Sequence, residues 1–238
     1  LSTSSVSFAA GSLNTANRAV SVVVVNDTIS EGNEDFTLSF GTSSGPVSTS
    51  GTLLVTIVDD DVPGISVLQS GGNTAVTEGG ATDSLTVALQ SQPTGDVTVT
   101  LSGSQVTPSP TPIVFTSANW NTPQTVTVTA IDDAIDEASP HPGQLSFAVA
   151  SSDANYQGFA VAPFAIDVTD NDTAGVVLVQ SGGNTAVTEG GATDSYTLVL
   201  SSQPTANVSI ALSGSQVTPS PTPIVFTSAN WNTPQTVT

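Results

Sequence analysis

The residues in this sequence best equipped for chemistry are carboxylates, and they come in clusters. Asp27, Glu31 and Glu34 precede the run Asp59, Asp60 and Asp61. A second set repeats the arrangement: Glu78, then Asp132, Asp133, Asp136 and Glu137, then Asp170 and Asp172, with Glu189 alone further on. The clusters follow apolar or alternating stretches, as where Val22–Val25 runs into Asn26-Asp27 and Leu54–Val58 into Asp59. If these stretches are strands ending at one tip, the carboxylates of a set meet there. Two like charges about 5 Å apart repel by roughly 3 kcal/mol at an effective dielectric near 20. A few such pairs rival the ~5–15 kcal/mol that holds a domain together. Against 20 Asp and Glu the chain has 1 Lys or Arg, which is Arg18. Divalent cations or protons must therefore offset the charge. Oxygen-only ligands select a hard cation, and several carboxylates at a flexible tip favour Ca2+ over Mg2+. Asp also favours turns for local reasons, so one acidic run alone reads equally well as a solvated loop. Recurrence of two clusters per unit at a fixed period is what argues for calcium.

The same charge balance excludes other classes of partner. A net charge of −19 with Arg18 as the one fixed cation leaves almost nothing basic to displace phosphate counterions, which argues against nucleic acid, and it repels an anionic membrane surface. No apolar stretch reaches the ~18 residues that span a bilayer, so no direct membrane insertion is expected. With Cys at 0 there is no disulfide, thiolate metal site or cysteine nucleophile. His141, between Pro140 and Pro142, is the one histidine, and its Pro-flanked setting reads as a loop. A catalytic triad needs an imidazole beside an activated Ser, so no enzyme is expected. Met is also 0 and the chain opens on Leu1 in mid-pattern, so it reads as an excerpt of a longer protein.

The elements that must position the acids announce themselves by repetition. Of the 64 residues at 64–127, 51 recur 111 positions later at 175–238. Residues 1–63 match the second half of the same unit, with Asn26–Glu31 aligned on Asp132–Glu137 and Asp59–Asp61 on Asp170–Asp172. The chain reads as a C-terminal half unit (1–63), a complete unit (64–174) and an N-terminal half unit (175–238), joined at Val62-Pro63-Gly64 and Thr173-Ala174-Gly175. Within a unit the apolar period is two, as in Ser84–Leu89, Thr125–Thr129, Gln144–Val149 and Pro163–Val168. That period predicts half-buried antiparallel strands. Ser70–Asn73, Gln92–Gly95 and Pro108–Pro112 supply the turns. The fold class is all-β: tandem immunoglobulin-like antiparallel β-sandwiches. Trp120 and Trp231, each in an Ala-Asn-Trp-Asn-Thr-Pro turn, read as packing residues.

Asn26-Asp27-x-Ile29-x-Glu31-x-x-Glu34-x-Phe36, followed by Ile57-Val58-Asp59-Asp60-Asp61, resembles the Calx-beta motif. That motif occurs in the regulatory calcium-binding domains of sodium–calcium exchangers, in an integrin and in very long bacterial surface proteins. The resemblance covers the whole chain and implies a sandwich with Ca2+ at one tip. The implied ligands are Glu78, Asp132, Asp133, Glu137, Asp170 and Asp172 in the complete unit. In the first half unit they are Asp27, Glu31, Asp59, Asp60 and Asp61, with Glu34 in support, and in the last Glu189. There are departures: Gln105-Val106 stands where the family often has an Asp, Ala138–Pro142 replaces the segment that carries Glu34, and Asn171 replaces the middle Asp. They imply fewer or weaker ions in the complete unit.

These readings converge on a calcium-stiffened tandem stalk or fibre of an extracellular or cell-surface protein, an adhesin or matrix filament. Its expected partners are neighbouring units, end to end, in the same or an identical chain, with any glycan or cell-surface ligand bound elsewhere in the full protein. The alternative is a glycan- or ice-binding adhesive module, presented by Thr rows such as Thr125, Thr127 and Thr129.

Overall fold

The computed structural model describes residues 21–39 and 51–238, so Arg18 lies outside the described residues. The chain divides into two compact units, Leu1–Val62 and Pro63–Thr238. The expected joint at Thr173–Gly175 falls inside the second.

In the first unit β1 (Glu34–Ser39) pairs antiparallel with β2 (Thr52–Ile57), with Phe36 opposite Val55 and Glu34 opposite Ile57. Strand parity places Phe36, Leu38, Val55 and Ile57 on the better-covered face. Glu31 and Asp59 leave the adjacent strand ends together.

The second unit continues with β3 (Ile65–Gln69), β4 (Ala75–Thr77), β5 (Asp83–Leu89), β6 (Val97–Ser104), β7 (Val106–Ser109), β8 (Ile113–Phe115), β9 (Gln124–Ala130), β10 (His141–Ser151) and β11 (Phe164–Thr169). They form two sheets, ordered β3-β5-β9-β7 and β4-β11-β10-β6-β8. Period-two alternation turns Leu85, Val87 and Leu89, Val97, Val99 and Leu101, and Val126 and Val128 inward, where they pack with Phe115, Leu145, Ile166 and Val168. The intervening Thr125, Thr127 and Thr129 face water. Trp120 packs half-buried on this core, and its carbonyl accepts from the Leu89 amide at 2.9 Å. At the end of the sandwich away from the acidic clusters, the buried Tyr156 hydroxyl donates to the Ser91 carbonyl at 2.7 Å and accepts from the Ser91 amide at 3.1 Å.

Among the described residues one pairing departs from the antiparallel expectation: β4 runs parallel to β11, with Val76 beside Val168 and Thr77 beside Thr169. Two parallel neighbours end on the same edge. The chain therefore delivers Glu78 and Asp170 side by side as it leaves the sheet.

Residues 175–238 repeat part of this plan. β12 (Val176–Gln180), β13 (Tyr196–Leu200), β14 (Val208–Ile210), β15 (Ile224–Phe226) and β16 (Gln235–Val237) form the sheets β12-β13-β16 and β14-β15. Leu198, Leu200, Ile224, Phe226 and Val237 are buried between them, with Trp231 packed alongside.

Candidate metal centre

Four chain segments meet at the acidic tip of the complete sandwich. The turn after β4 is closed by the Thr77 amide donating to the Ala81 carbonyl at 2.9 Å, and it presents Glu78. The Glu78 amide donates to the Thr169 carbonyl at 3.0 Å, extending the parallel pairing by one rung. Gly79 follows with φ +59°, and a Cβ there would lie 3.0 Å from Asn171 Nδ2 and 3.2 Å from Asp132 Oδ2. Only glycine adopts this left-handed turn while letting the loops after β9 and β11 approach so closely.

The loop after β11 is wired by Asp170. Its Oδ2 accepts from the Glu137 amide at 2.9 Å and its Oδ1 from the Asp172 amide at 3.0 Å. Those amides hold its carboxyl below the usual range. Asn171 donates through Nδ2 to the Glu78 carbonyl and to Asp132 Oδ1, both at 3.0 Å. A third aspartate could not supply these donors, so Asn171 ties the loops together instead of adding charge. Asp133 closes its own turn by accepting from the Ile135 amide at 2.8 Å.

The centre of the tip is electrostatically unresolved. Glu78 is 2% exposed, and neither carboxylate oxygen has a hydrogen-bond partner. Asp172 Oδ2 is also buried without one. Burial pushes the Glu78 carboxyl up, and Asp133, Asp170 and Glu137 push it further, against a smaller opposing pull from His141. Asp172 is raised by burial, then by Asp170, Asp132, Asp133 and Asp136. An unpaired buried carboxylate costs several kcal/mol in an apolar setting unless a cation or a proton meets it. Glu78, Asp170 and Asp172 each offer an oxygen, all within 4.8 Å of one another. That donor set, all hard oxygens, fits a divalent cation of the calcium class.

A second convergence is Glu78, Glu137 and His141, again with ligand atoms within 4.8 Å. Here the loop reading of His141 is corrected: it opens β10 and is 8% exposed. The physical reason is register. His141 pairs with Val168 and shares the inward parity of Gly143 and Leu145. β10 pairs with β6 only from Gln144 onward, so Pro142 lies where the strand has one neighbour. His141 Nε2 stands 3.0 Å from Glu137 Oε2 and 4.0 Å from Glu78 Oε1. Gln105 sits at φ +58° and points Nε2 at both Glu137 oxygens, at 3.3 and 3.4 Å. Gln216, its repeat counterpart, shares the left-handed backbone at φ +67° although 175–238 contains no match to Glu137. The conformation therefore belongs to this loop itself and is then used to aim the amide.

The other expected ligands are placed differently. In the first unit Asp27, Glu31, Glu34, Asp59, Asp60 and Asp61 line one open cavity. The wiring is the same: Asp59 accepts from the Glu31 amide at 2.9 Å and the Asp61 amide at 3.3 Å, and Asp27 from the Ile29 amide at 3.0 Å. Burial, then Asp60, Asp59 and Asp27, raise the Asp61 carboxyl. Among the described residues, no three of these acids converge as tightly as the two sets around Glu78. Asp132 and Asp133 belong to neither of those sets. Glu189 is exposed and joins neither.

No protein-family model matches the chain, so the resemblance to Calx-beta domains rests on the residues quoted above. No curated protein matches it. Among solved structures it is similar to domains 4 and 5 of the S-layer protein SbsC, with 19% identity, TM-score 0.24, over 50% of this chain and 58% of that one. A structure of SbsC domains 1–6 matches with 12% identity and TM-score 0.27, over 62% of this chain and 24% of that one. The chain thus spans just over half of one of those chains and about a quarter of the other.

Proposed function

We propose that this chain is a run of calcium-stiffened β-sandwich modules from the structural part of an extracellular or cell-surface protein. The observation that carries the reading is Glu78, a buried carboxylate without a hydrogen-bond partner beside Asp170 and Asp172. A cation there would tie the end of β4 to the end of β11 and remove the repulsion that otherwise opposes folding. The near-identical repeat at a spacing of 111 residues supports a role set by length and unit geometry. Modules that bind calcium with dissociation constants of about 10⁻⁴–10⁻³ M suit the millimolar levels outside cells.

The test is a pair of melting curves, in 10 mM Ca2+ and in chelator. Calcium that binds only the folded state stabilises by mass action, by about 2.7 kcal/mol at a hundredfold excess over Kd. For a unit of roughly 100 residues that raises Tm by about 10 °C, and by about 5 °C at the weak end of the range. Coincident curves would contradict the proposal.

A further inference from the structure

The single histidine is the feature that the calcium reading leaves unused. Both ring nitrogens of His141 are buried and have no hydrogen bond, although Glu137 Oε2 lies 3.0 Å from Nε2. Two carboxylates, one of them the unpartnered Glu78, share this pocket with it. We propose that Glu78, Glu137 and His141 form a second cation position, one that takes an imidazole-binding first-row transition metal such as Zn2+. Calcium chooses oxygen donors, whereas a neutral imidazole suits zinc and its neighbours. Ligands about 2.0–2.2 Å from a tetrahedral Zn2+ lie about 3.3 Å from one another. The 3.0 and 4.0 Å separations from Nε2 bracket that value, so small side-chain movements close the site. Three protein ligands leave the fourth position to water. Gln105, hydrogen-bonded to Glu137 at 3.3 and 3.4 Å, supplies the kind of outer contact that fixes a ligand's orientation. The position shares Glu78 with the oxygen-only set but does not depend on calcium binding there.

The whole 238-residue chain, stripped of metal, is the material for the test. It is titrated with Zn2+ by calorimetry and with Co2+ while ligand-field absorbance is followed. The parent should bind about one equivalent of either metal, and His141→Gln should weaken Zn2+ binding at least about tenfold. The calcium-induced rise in Tm should be the same in His141→Gln and the parent, which separates failure of this site from failure of the calcium reading. Because the chain has 1 His, its imidazole ¹⁵N signals need no mutant for assignment. Zn2+ should displace the Nε2 signal and Ca2+ should not, a readout that survives even if the variant does not fold. Unchanged Zn2+ affinity in His141→Gln, or imidazole signals indifferent to Zn2+, would overturn the proposal.

Discussion

Glu78 concentrates the energetics of the tip in one side chain. Its carboxyl is raised, first by burial and then by neighbouring acids. A raised acid takes up its proton more readily folded than unfolded. In chelator it therefore costs stability at neutral pH, and the cost disappears as pH falls through the folded value. Glu78→Gln should leave the chelated protein at least as stable as the parent at pH 7.5 and abolish most of the calcium-induced rise in Tm. Thermal melts of both proteins in both conditions check the two signs together. Asp83 behaves oppositely. The Ser70 hydroxyl and the amides of Ala75 and Ser84, at 3.0 and 2.7 Å, lower its carboxyl below 3.8. Its contribution is present above that value and is lost as pH falls through the folded one. Asp83→Ala should cost about 1 kcal/mol at pH 7, modest because solvent reaches the group. Denaturant titrations should show the difference shrinking as pH falls from the ordinary carboxylate range through the folded value.

At the scale of elements, alternation made β5, β9, β10 and β11 readable, and the acidic runs marked where strands stop. What alternation did not carry is the β4–β11 pairing. β4 is three residues, Ala75–Thr77, inside a Gly-rich stretch, too short for a period to register. Its parallel alignment buries Glu78 beside Asp170, so the burial of Glu78 was not legible either. The inward parity of His141 was available by stepping back from Leu145 through Gly143, but the flanking prolines punctuate like a loop. The turn after β4 offers a controlled test, since Gly79 and Gly190 share a left-handed φ, +59° and +64°. Only at Gly79 would a Cβ crowd Asn171 and Asp132; nothing lies within 4 Å at Gly190. Gly190→Ala should cost about 1 kcal/mol for backbone conformation alone. Gly79→Ala should cost more and weaken calcium binding as well, as denaturant titration and calorimetry would report.

At the scale of the whole molecule, the acid-bearing loop after β9 also holds the following segment. Asp136 accepts from the Ala174 amide at 3.0 Å, and the Ala134 carbonyl accepts from the Gln203 amide at 2.6 Å. A cation that ordered that loop would therefore also order the joint to residues 175–238. Asp136→Ala, or chelation, should speed amide exchange at Ala174 and Gln203 by about tenfold, the loss of roughly one hydrogen bond. Exchange in the core of β9 should change far less.

The central claim is that the tip around Glu78, Asp170 and Asp172 is a divalent-cation centre. Calorimetric titration of the metal-free 238-residue chain with Ca2+, alongside Glu78→Gln, tests it most directly. The account predicts saturable binding with Kd in the range of about 10⁻⁴–10⁻³ M or tighter, with at least one site lost in the variant. No saturable calcium binding, or equal stoichiometry and affinity in the two proteins, would contradict it.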